Sequence, residues 1–302
     1  MLSINYSIII PHKNIPELLE RCLESIPQRL DIQVIVVDDH SDGADTYFGM
    51  YPKLFRPDVE FVFTKEGRGA GYARNIGLER VKGKWVLFAD ADDFFLPGWI
   101  DITDQYLDSN ADVIQFRIDD ICCHSDCNWH NGVLESYALG KQSEKEALFS
   151  NITCWAKMFR TSFIKANDIV FEEVKCADDV AFGYQVAVKA NNIVISPYAI
   201  YDVTYREGSL TTITNMEFSW IQYVVEKNAK TYAAEHGFQQ YELPHVIEVL
   251  KRWRKFGLRA YIRFIWHERH EIVRASKVRI KDKPFNYRHQ YLYVLLVLLK
   301  LV

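Results

Sequence analysis

Cysteine is scarce: six in 302 residues are too few for a disulfide scaffold, and they read as thiols of a reducing compartment. A secretory leader is also missing, since Met1 to Pro11 has no basic segment and its short apolar run stops at a proline. The near-apolar end, Tyr291 to Val302, has 12 residues, where a bilayer-spanning helix needs ~20. These absences point to a cytoplasmic chain. Phosphate loops of the common kinds are lacking too. Gly67-Arg68-Gly69-Ala70-Gly71 has neither the spacing nor the Lys-Ser/Thr ending of a Walker A loop, and the first strand runs into His12-Lys13-Asn14 without glycines. ATPases and simple dehydrogenases are thereby excluded. No internal repeat is visible.

What is present is an ordinary globular composition with an uneven charge. Residues 251–302 carry 14 Lys+Arg against 3 Asp+Glu, so the excess of acid lies entirely before them. An acidic body with a basic tail suggests that the tail meets something anionic. Trp253, Phe256 and Tyr261 interleave with those cations, a pattern suited to the inner face of a membrane. Packing as an ordinary helix, or contact with a second copy, explains it equally. No nucleic-acid-binding motif accompanies the charge.

Short apolar runs alternate with helical patterns through the first two thirds. Tyr6 to Pro11, Ile32 to Val37, Val59 to Phe63 and Trp85 to Phe88 read as strands. Asn14 with Glu17 has capping-box spacing and opens a helix with an apolar stripe. A second helix runs from about Tyr72 to Val81. This alternation predicts right-handed crossovers and a mostly parallel sheet with flanking helices. The polar stretch from Asp119 to Ser150 reads as an insertion over the sheet edge. Its Cys122, Cys123, His124, Cys127 and His130 are spaced too tightly and irregularly for a structural zinc site. From Thr214 the character becomes helical, with Thr214 and Glu217 as another capping box and one long helix expected from about Pro244 through Ile265. The expected organisation is a domain over 1–213 and a basic, aromatic-rich helical extension over 214–302.

Acids gather where these strands end. Asp38 and Asp39 follow the second strand, while Asp90, Asp92 and Asp93 follow the fourth. Open α/β sheets bind ligands beyond the carboxyl ends of their strands. Crowded carboxylates repel unless a cation joins them, and Mg²⁺ takes one or two carboxylates plus water and substrate phosphates. A polar strand-to-loop turn is the plainer explanation of either cluster alone. Asp178 and Asp179 open a later helix, where acids favour the helix dipole.

Taken in order, these pieces resemble glycosyltransferase family 2 enzymes of GT-A fold, above all bacterial ones that build capsular, O-antigen or exopolysaccharide chains. The resemblance rests on Ser7-Ile8-Ile9-Ile10-Pro11 with Asn14, Val36-Val37-Asp38-Asp39-His40-Ser41-Asp42, Ala73-Arg74-Asn75-Ile76-Gly77 and Phe88-Ala89-Asp90-Ala91-Asp92-Asp93. Trp155-Ala156-Lys157, Asp178-Asp179-Val180-Ala181-Phe182 and Tyr205-Arg206-Glu207-Gly208-Ser209 continue it.

The resemblance implies a Rossmann-like GT-A domain and an inverting transfer from a nucleotide-diphosphate sugar, a UDP-sugar first, to a glycan or lipid-linked hydroxyl. It implies that Pro11, Asp38, Asp39, Arg74, Asn75, Asp90, Arg206 and Ser209 hold the nucleotide sugar. Asp92 and Asp93 would hold Mn²⁺ or Mg²⁺, Asp179 with Asp178 would be catalytic, and Trp155 and Lys157 would border the acceptor. Two positions depart from the family pattern: Asp178 stands where Glu is usual, one methylene shorter, and Lys13 stands where an aromatic is usual. A nucleotide-sugar-binding scaffold without turnover is the alternative. A nucleotidyltransferase would want a glycine-rich basic loop after the first strand, where this chain has Pro11-His12-Lys13-Asn14.

Overall fold

The computed structural model describes residues 3–43, 51, 54, 56–119, 128–205, 215–241, 250 and 252–282. The chain divides into two compact units, Met1–Thr212 and Ile213–Val302.

The first unit is an eight-stranded mixed sheet in the order β3-β2-β1-β4-β7-β6-β8-β5. Strands β1 (Tyr6–His12), β2 (Ile32–Asp38), β3 (Val59–Phe63) and β4 (Trp85–Phe88) are all parallel. Every residue of β1 is buried, as a strand covered on both faces requires. Side chains alternate across it. Tyr6, Ile8 and Ile10 join Trp85 and Leu87 in one core under α1 (Pro16–Glu24). Ile9 faces the other way, against α2 (Ala70–Arg80), at Gly77, where an added Cβ would lie 2.5 Å from the Ile9 side chain. On that second face Phe88 meets Phe171 and Phe182, whose own rings stack 4.1 Å apart.

Beyond β4 the sheet turns mixed. After β5 (Phe94–Phe95) and α3 (Trp99–Asp104) comes β6 (Val113–Ile118). β7 (Lys157–Arg160) then runs antiparallel between β4 and β6. β8 (Ile193–Asp202) pairs parallel with β6 and antiparallel with β5. Four of the seven pairings are parallel, so the expected sheet is present with an antiparallel strand wedged into it.

Several local expectations need correction. Asn14 does not cap α1: it takes φ 57° and exchanges hydrogen bonds with Asp42, and Pro16 opens the helix instead. The stretch expected as a polar insertion folds into α4 (Asn128–Ala138) and α5 (Glu144–Ser150). They bury Leu134, Ala147, Leu148 and Phe149, and Ser143 and Glu146 form a capping box. Cys122, Cys123, His124 and Cys127 lie outside the described residues. The remaining helices of this unit are α6 (Thr161–Ala166) and α7 (Asp178–Lys189).

The second unit is helical. α8 (Met216–Glu235) is capped by Asn215, whose side chain accepts from Phe218 N at 2.8 Å. Thr214, the expected cap, lies outside the described residues. The long helix expected from Pro244 through Ile265 is interrupted at Gly257, at φ 90°, and α9 (Leu258–Asp282) begins after it. Tyr223, Leu250, Trp253, Phe264 and Ile265 form the core of this unit. Glu268 is buried beside it, accepting from Tyr223 Oη at 2.7 Å and Lys227 Nζ at 2.9 Å. Among the described residues no helix is long and apolar enough to cross a membrane.

Candidate active site

The site forms where β1, β2 and β4 end side by side. Asp38 closes β2 and is buried, with Oδ2 accepting from His12 Nδ1 at 2.8 Å and from Ser41 Oγ at 2.6 Å. Ile15 N donates to His12 Nε2, so the ring proton sits on Nδ1, facing Asp38. Burial works to raise the Asp38 pKa, but the His12 and Ser41 hydrogen bonds outweigh it and hold the carboxyl below its ordinary value. Asp38 thus builds the turn that follows β2.

Asp39 ties that turn to the start of α2. Its Oδ1 accepts from Arg68 N at 2.8 Å and its Oδ2 from Gly69 N at 2.9 Å, with Lys13 Nζ at 3.5 Å. The glycines on either side serve close approach. A Cβ on Gly69 would lie 2.9 Å from Val174 O, and one on Gly71 only 2.2 Å from Glu172 O. The Gly-Arg-Gly-Ala-Gly loop therefore docks α2 against the segment leading to α7.

Arg74, one turn into α2, is the junction of the site. It is buried, with Nη1 donating to Asp178 Oδ2 and Nη2 donating to Asp90 Oδ1 at 2.5 Å. Its guanidinium also lies 5.3 Å from the Phe171 ring centre. Asn75 beside it exchanges hydrogen bonds with the Phe171 backbone in both directions. That bond pair orients the segment before α7, and it leaves Asn75 facing the protein.

Asp179 follows Asp178 in the first turn of α7, after Ala177 in a left-handed conformation (φ 61°). Asp179 is half-buried. Burial, then the charge of Asp178, push its pKa up to about 6; the Arg74 charge opposes them and Asp90 adds to them. A carboxylate of that pKa is still ionised at neutral pH, yet more basic than an exposed one.

At the end of β4, the three acids separate. Asp93 is buried, its Oδ1 accepting from Thr204 N at 2.7 Å and its Oδ2 lying 3.0 Å from Tyr201 Oη. The same hydroxyl accepts from Asp90 N at 2.9 Å. Burial first, then the charges of Asp90 and Asp92, hold the Asp93 pKa well above the carboxylate range. Asp93 is therefore engaged in holding the loop. Asp92 is half-buried, and Arg21 Nη2 donates to its carbonyl and, at 2.8 Å, to Thr204 Oγ1.

Trp155 continues from Tyr201 as an aromatic stack. Its ring lies parallel to Tyr201 at 6.0 Å and close to parallel to His130 at 5.0 Å. Lys157 is buried beneath, its Nζ donating to Thr153 O (2.7 Å), Thr153 Oγ1 (3.1 Å) and Asn151 Oδ1 (3.2 Å). Burial brings its pKa down to about 7.

Arg74, Asp90, Asp178 and Asp179 are thus brought together, with Asp39 anchoring the same helix. Asp38, Asn75 and Asp93 bond inward, Pro11 is buried in β1, and Arg206 and Ser209 lie outside the described residues. Arg21 and Tyr201 were not marked by any sequence pattern. Neither belongs to a motif; each is recognisable only from partners far along the chain.

The sequence matches Glycosyl transferase family 2 over residues 7–166. The chain belongs to that family. Among its relatives, it is 29% identical over 67% of its length to the poly(ribitol-phosphate) beta-N-acetylglucosaminyltransferase TarS of Staphylococcus aureus. It is 27% identical over 67% of its length to a poly(ribitol-phosphate) beta-glucosyltransferase of Bacillus spizizenii. It spans only 36% and 32% of those two proteins. The crystal structure of S. aureus TarS 1–349 in complex with UDP-GlcNAc superposes with a TM-score of 0.60 at 22% identity, covering 84% of this chain and 73% of that one. The mixed sheet and its flanking helices are thus the GT-A arrangement of this glycosyltransferase family.

Proposed function

We propose that the chain is an inverting glycosyltransferase of surface-polysaccharide synthesis, moving a sugar from a UDP-sugar to a hydroxyl of a glycan or lipid-linked acceptor. The observation that carries this reading is the pairing of Arg74, bridging Asp90 and Asp178, with Asp179 beside it at a pKa of about 6. Asp179 is the base: as the acceptor oxygen attacks the anomeric carbon, it takes the hydroxyl proton. The bond from that carbon to the donor diphosphate breaks, and the nucleotide diphosphate leaves with the electron pair. One base and a single displacement invert the anomeric centre.

Asp90 and Asp92 are the oxygen donors that fit Mn²⁺ or Mg²⁺, hard cations that take one or two carboxylates and complete their shell from phosphates. Asp90 uses Oδ1 for Arg74, and its other oxygen has no hydrogen bond among the described residues. Asp93 has both oxygens engaged, so in this reading it supports the loop that presents Asp92. When bound, the ion would neutralise charge developing on the leaving diphosphate.

In this reading Trp155 borders the acceptor from within its stack with Tyr201 and His130, and Lys157 is buried behind it. The named relatives act on poly(ribitol phosphate), an anionic, hydroxyl-rich polymer; an acceptor of that kind, or a lipid-linked one at an anionic membrane face, suits the basic 251–302 segment. The test is nucleotide release from UDP-sugars with Mn²⁺ and a mixed acceptor pool, run on wild type and Asp179→Asn. Turnover in wild type that Asp179→Asn abolishes supports the assignment. Equal turnover in both overturns the base, and donor binding without turnover favours the scaffold alternative.

A further inference from the structure

The C-terminal unit holds a groove of about 790 Å³ that the reaction above does not use. Trp220, Trp253, Phe256 and Phe264 form its walls, and Arg259 and Arg263 stand at its rim. The two arginines are one turn apart on α9, exposed, and without an ion pair among the described residues. One carboxylate, Glu217, also lines the groove, leaving the cations in excess. Trp253 is 5% exposed, and its Nε1 has no hydrogen-bond partner among the described residues. Its ring, not its N–H, lines the groove.

The ring geometry decides what kind of molecule fits. Trp253 is stacked on Phe264 at 4.6 Å and 10°, while Trp220 meets both rings edge-on at 87° and 84°. Stacking of Trp253 on Phe264 covers one face of each ring, and apolar side chains with two arginines line the groove. Outside it, Ile262 and Trp266 are exposed on the same helix, at 38% and 62%, with Arg269 over the Trp266 ring. Apolar and aromatic side chains mixed with arginines on an exposed helical face suit a bilayer interface.

We infer that this groove binds a phosphate-headed membrane lipid, one hydrocarbon chain lying along Trp220, Trp253 and Phe264 and the phosphate meeting Arg259 and Arg263. Arginine and phosphate pair by charge-assisted hydrogen bonds, and the apolar walls give a chain a place that free phosphate cannot use.

The full chain is titrated with dodecyl phosphate below its micelle threshold, with dodecanol and with inorganic phosphate, following tryptophan fluorescence and calorimetry. Dodecyl phosphate is expected to bind, inorganic phosphate not to, and dodecanol to bind about tenfold or more weakly. Arg259→Ala/Arg263→Ala, two exposed changes, is expected to erase the preference over dodecanol. The same variant is expected to lose flotation with phosphatidylcholine/phosphatidylglycerol vesicles that wild type shows. Equal binding of dodecanol and dodecyl phosphate, or unaltered flotation of the double variant, overturns the site. So does a concentration-dependent dimer with no lipid binding, since the occupant would then be a second copy. Loss of UDP release in wild type would bear on the glycosyltransferase reading alone.

Discussion

Asp178 accepts a hydrogen bond from Arg74 although 104 residues separate them. The bond joins the N-terminus of α7 to α2, and the second guanidinium nitrogen carries the link on to Asp90. Removing the cation would leave two carboxylates facing each other with only Asp179 for company. Arg74→Ala should therefore cost ~3–5 kcal/mol, the usual cost of breaking a buried ion pair from one side, and should abolish nucleotide release. Arg74→Lys keeps the charge but not the fork that reaches two acids at once, so a melting temperature between those of wild type and alanine is expected. Thermal denaturation of the three proteins checks this; a lysine variant as stable as wild type would mean the fork does not matter.

Asp179 should show its raised pKa twice, with opposite consequences. As the proposed base it would work only when ionised, so kcat/KM should rise with pH and level off above about 6. Asp179→Asn should lower the rate by about 10²–10⁴-fold. The folded pKa lies above the unfolded one, so between about 4 and 6 the folded state keeps a proton that the unfolded state has released. Stability is lost as pH rises through that window and stays lost above it. Asp179→Asn should consequently melt higher than wild type at pH 8 and no higher at pH 3.5. Melting curves that run parallel across this range would contradict the pKa assignment.

Two glycines offer a matched contrast. On Gly71 a Cβ would sit 2.2 Å from the Glu172 carbonyl and 2.9 Å from Asp178 Cβ, both fixed parts of the site, whereas one on Gly132 in α4 would meet nothing within 4 Å among the described residues. Gly71→Ala should then push α2 away from α7, destabilise by ~1–3 kcal/mol or more and reduce turnover. Gly132→Ala should be neutral or stabilise by up to ~1 kcal/mol through helix propensity. Urea denaturation midpoints measure both, and similar values for the two variants would refute the packing account of the Gly-Arg-Gly-Ala-Gly loop.

Why the parallel half was legible and the rest was not comes down to range. Ile8–Ile10, Val34–Val37 and Val86–Phe88 announce buried strands by local composition, and the acids after Val37 and Phe88 mark strand ends without any knowledge of the fold. β7 has four residues and no turn signal, and its position depends on pairing with both β4 and β6. Asn14 has the right spacing for a cap, but its side chain has a better offer from Asp42. Arg21 finds Thr204 across 183 residues, and Tyr201 reaches back to Asp93 across 108; no window of sequence contains both partners. For Asp179 the carboxylate at a helix start was visible and its pKa was not, because helix start and neighbouring acids pull in opposite senses until burial is known.

Lys157 supplies the last measurable consequence. It was expected to border the acceptor, yet its ammonium group is buried on Thr153 and Asn151 with its pKa brought down to about 7 by desolvation. An unfolded lysine titrates near 10.4. From pH 7 to 10 the unfolded chain therefore binds a proton that the folded one has given up, and stability grows as pH rises through that window. Lys157→Met removes this slope. It also leaves the Thr153 carbonyl short of a donor and Asn151 Oδ1 with Thr153 Oγ1 alone, a loss that does not vary with pH. The stability of wild type relative to Lys157→Met should accordingly be larger at pH 9.5 than at pH 6.5. Tyrosines and the other lysines titrate in both proteins and cancel in that difference. If the difference is flat across the range, Lys157 keeps its proton in the folded state, and its three hydrogen bonds hold a charged group beneath the Trp155 stack.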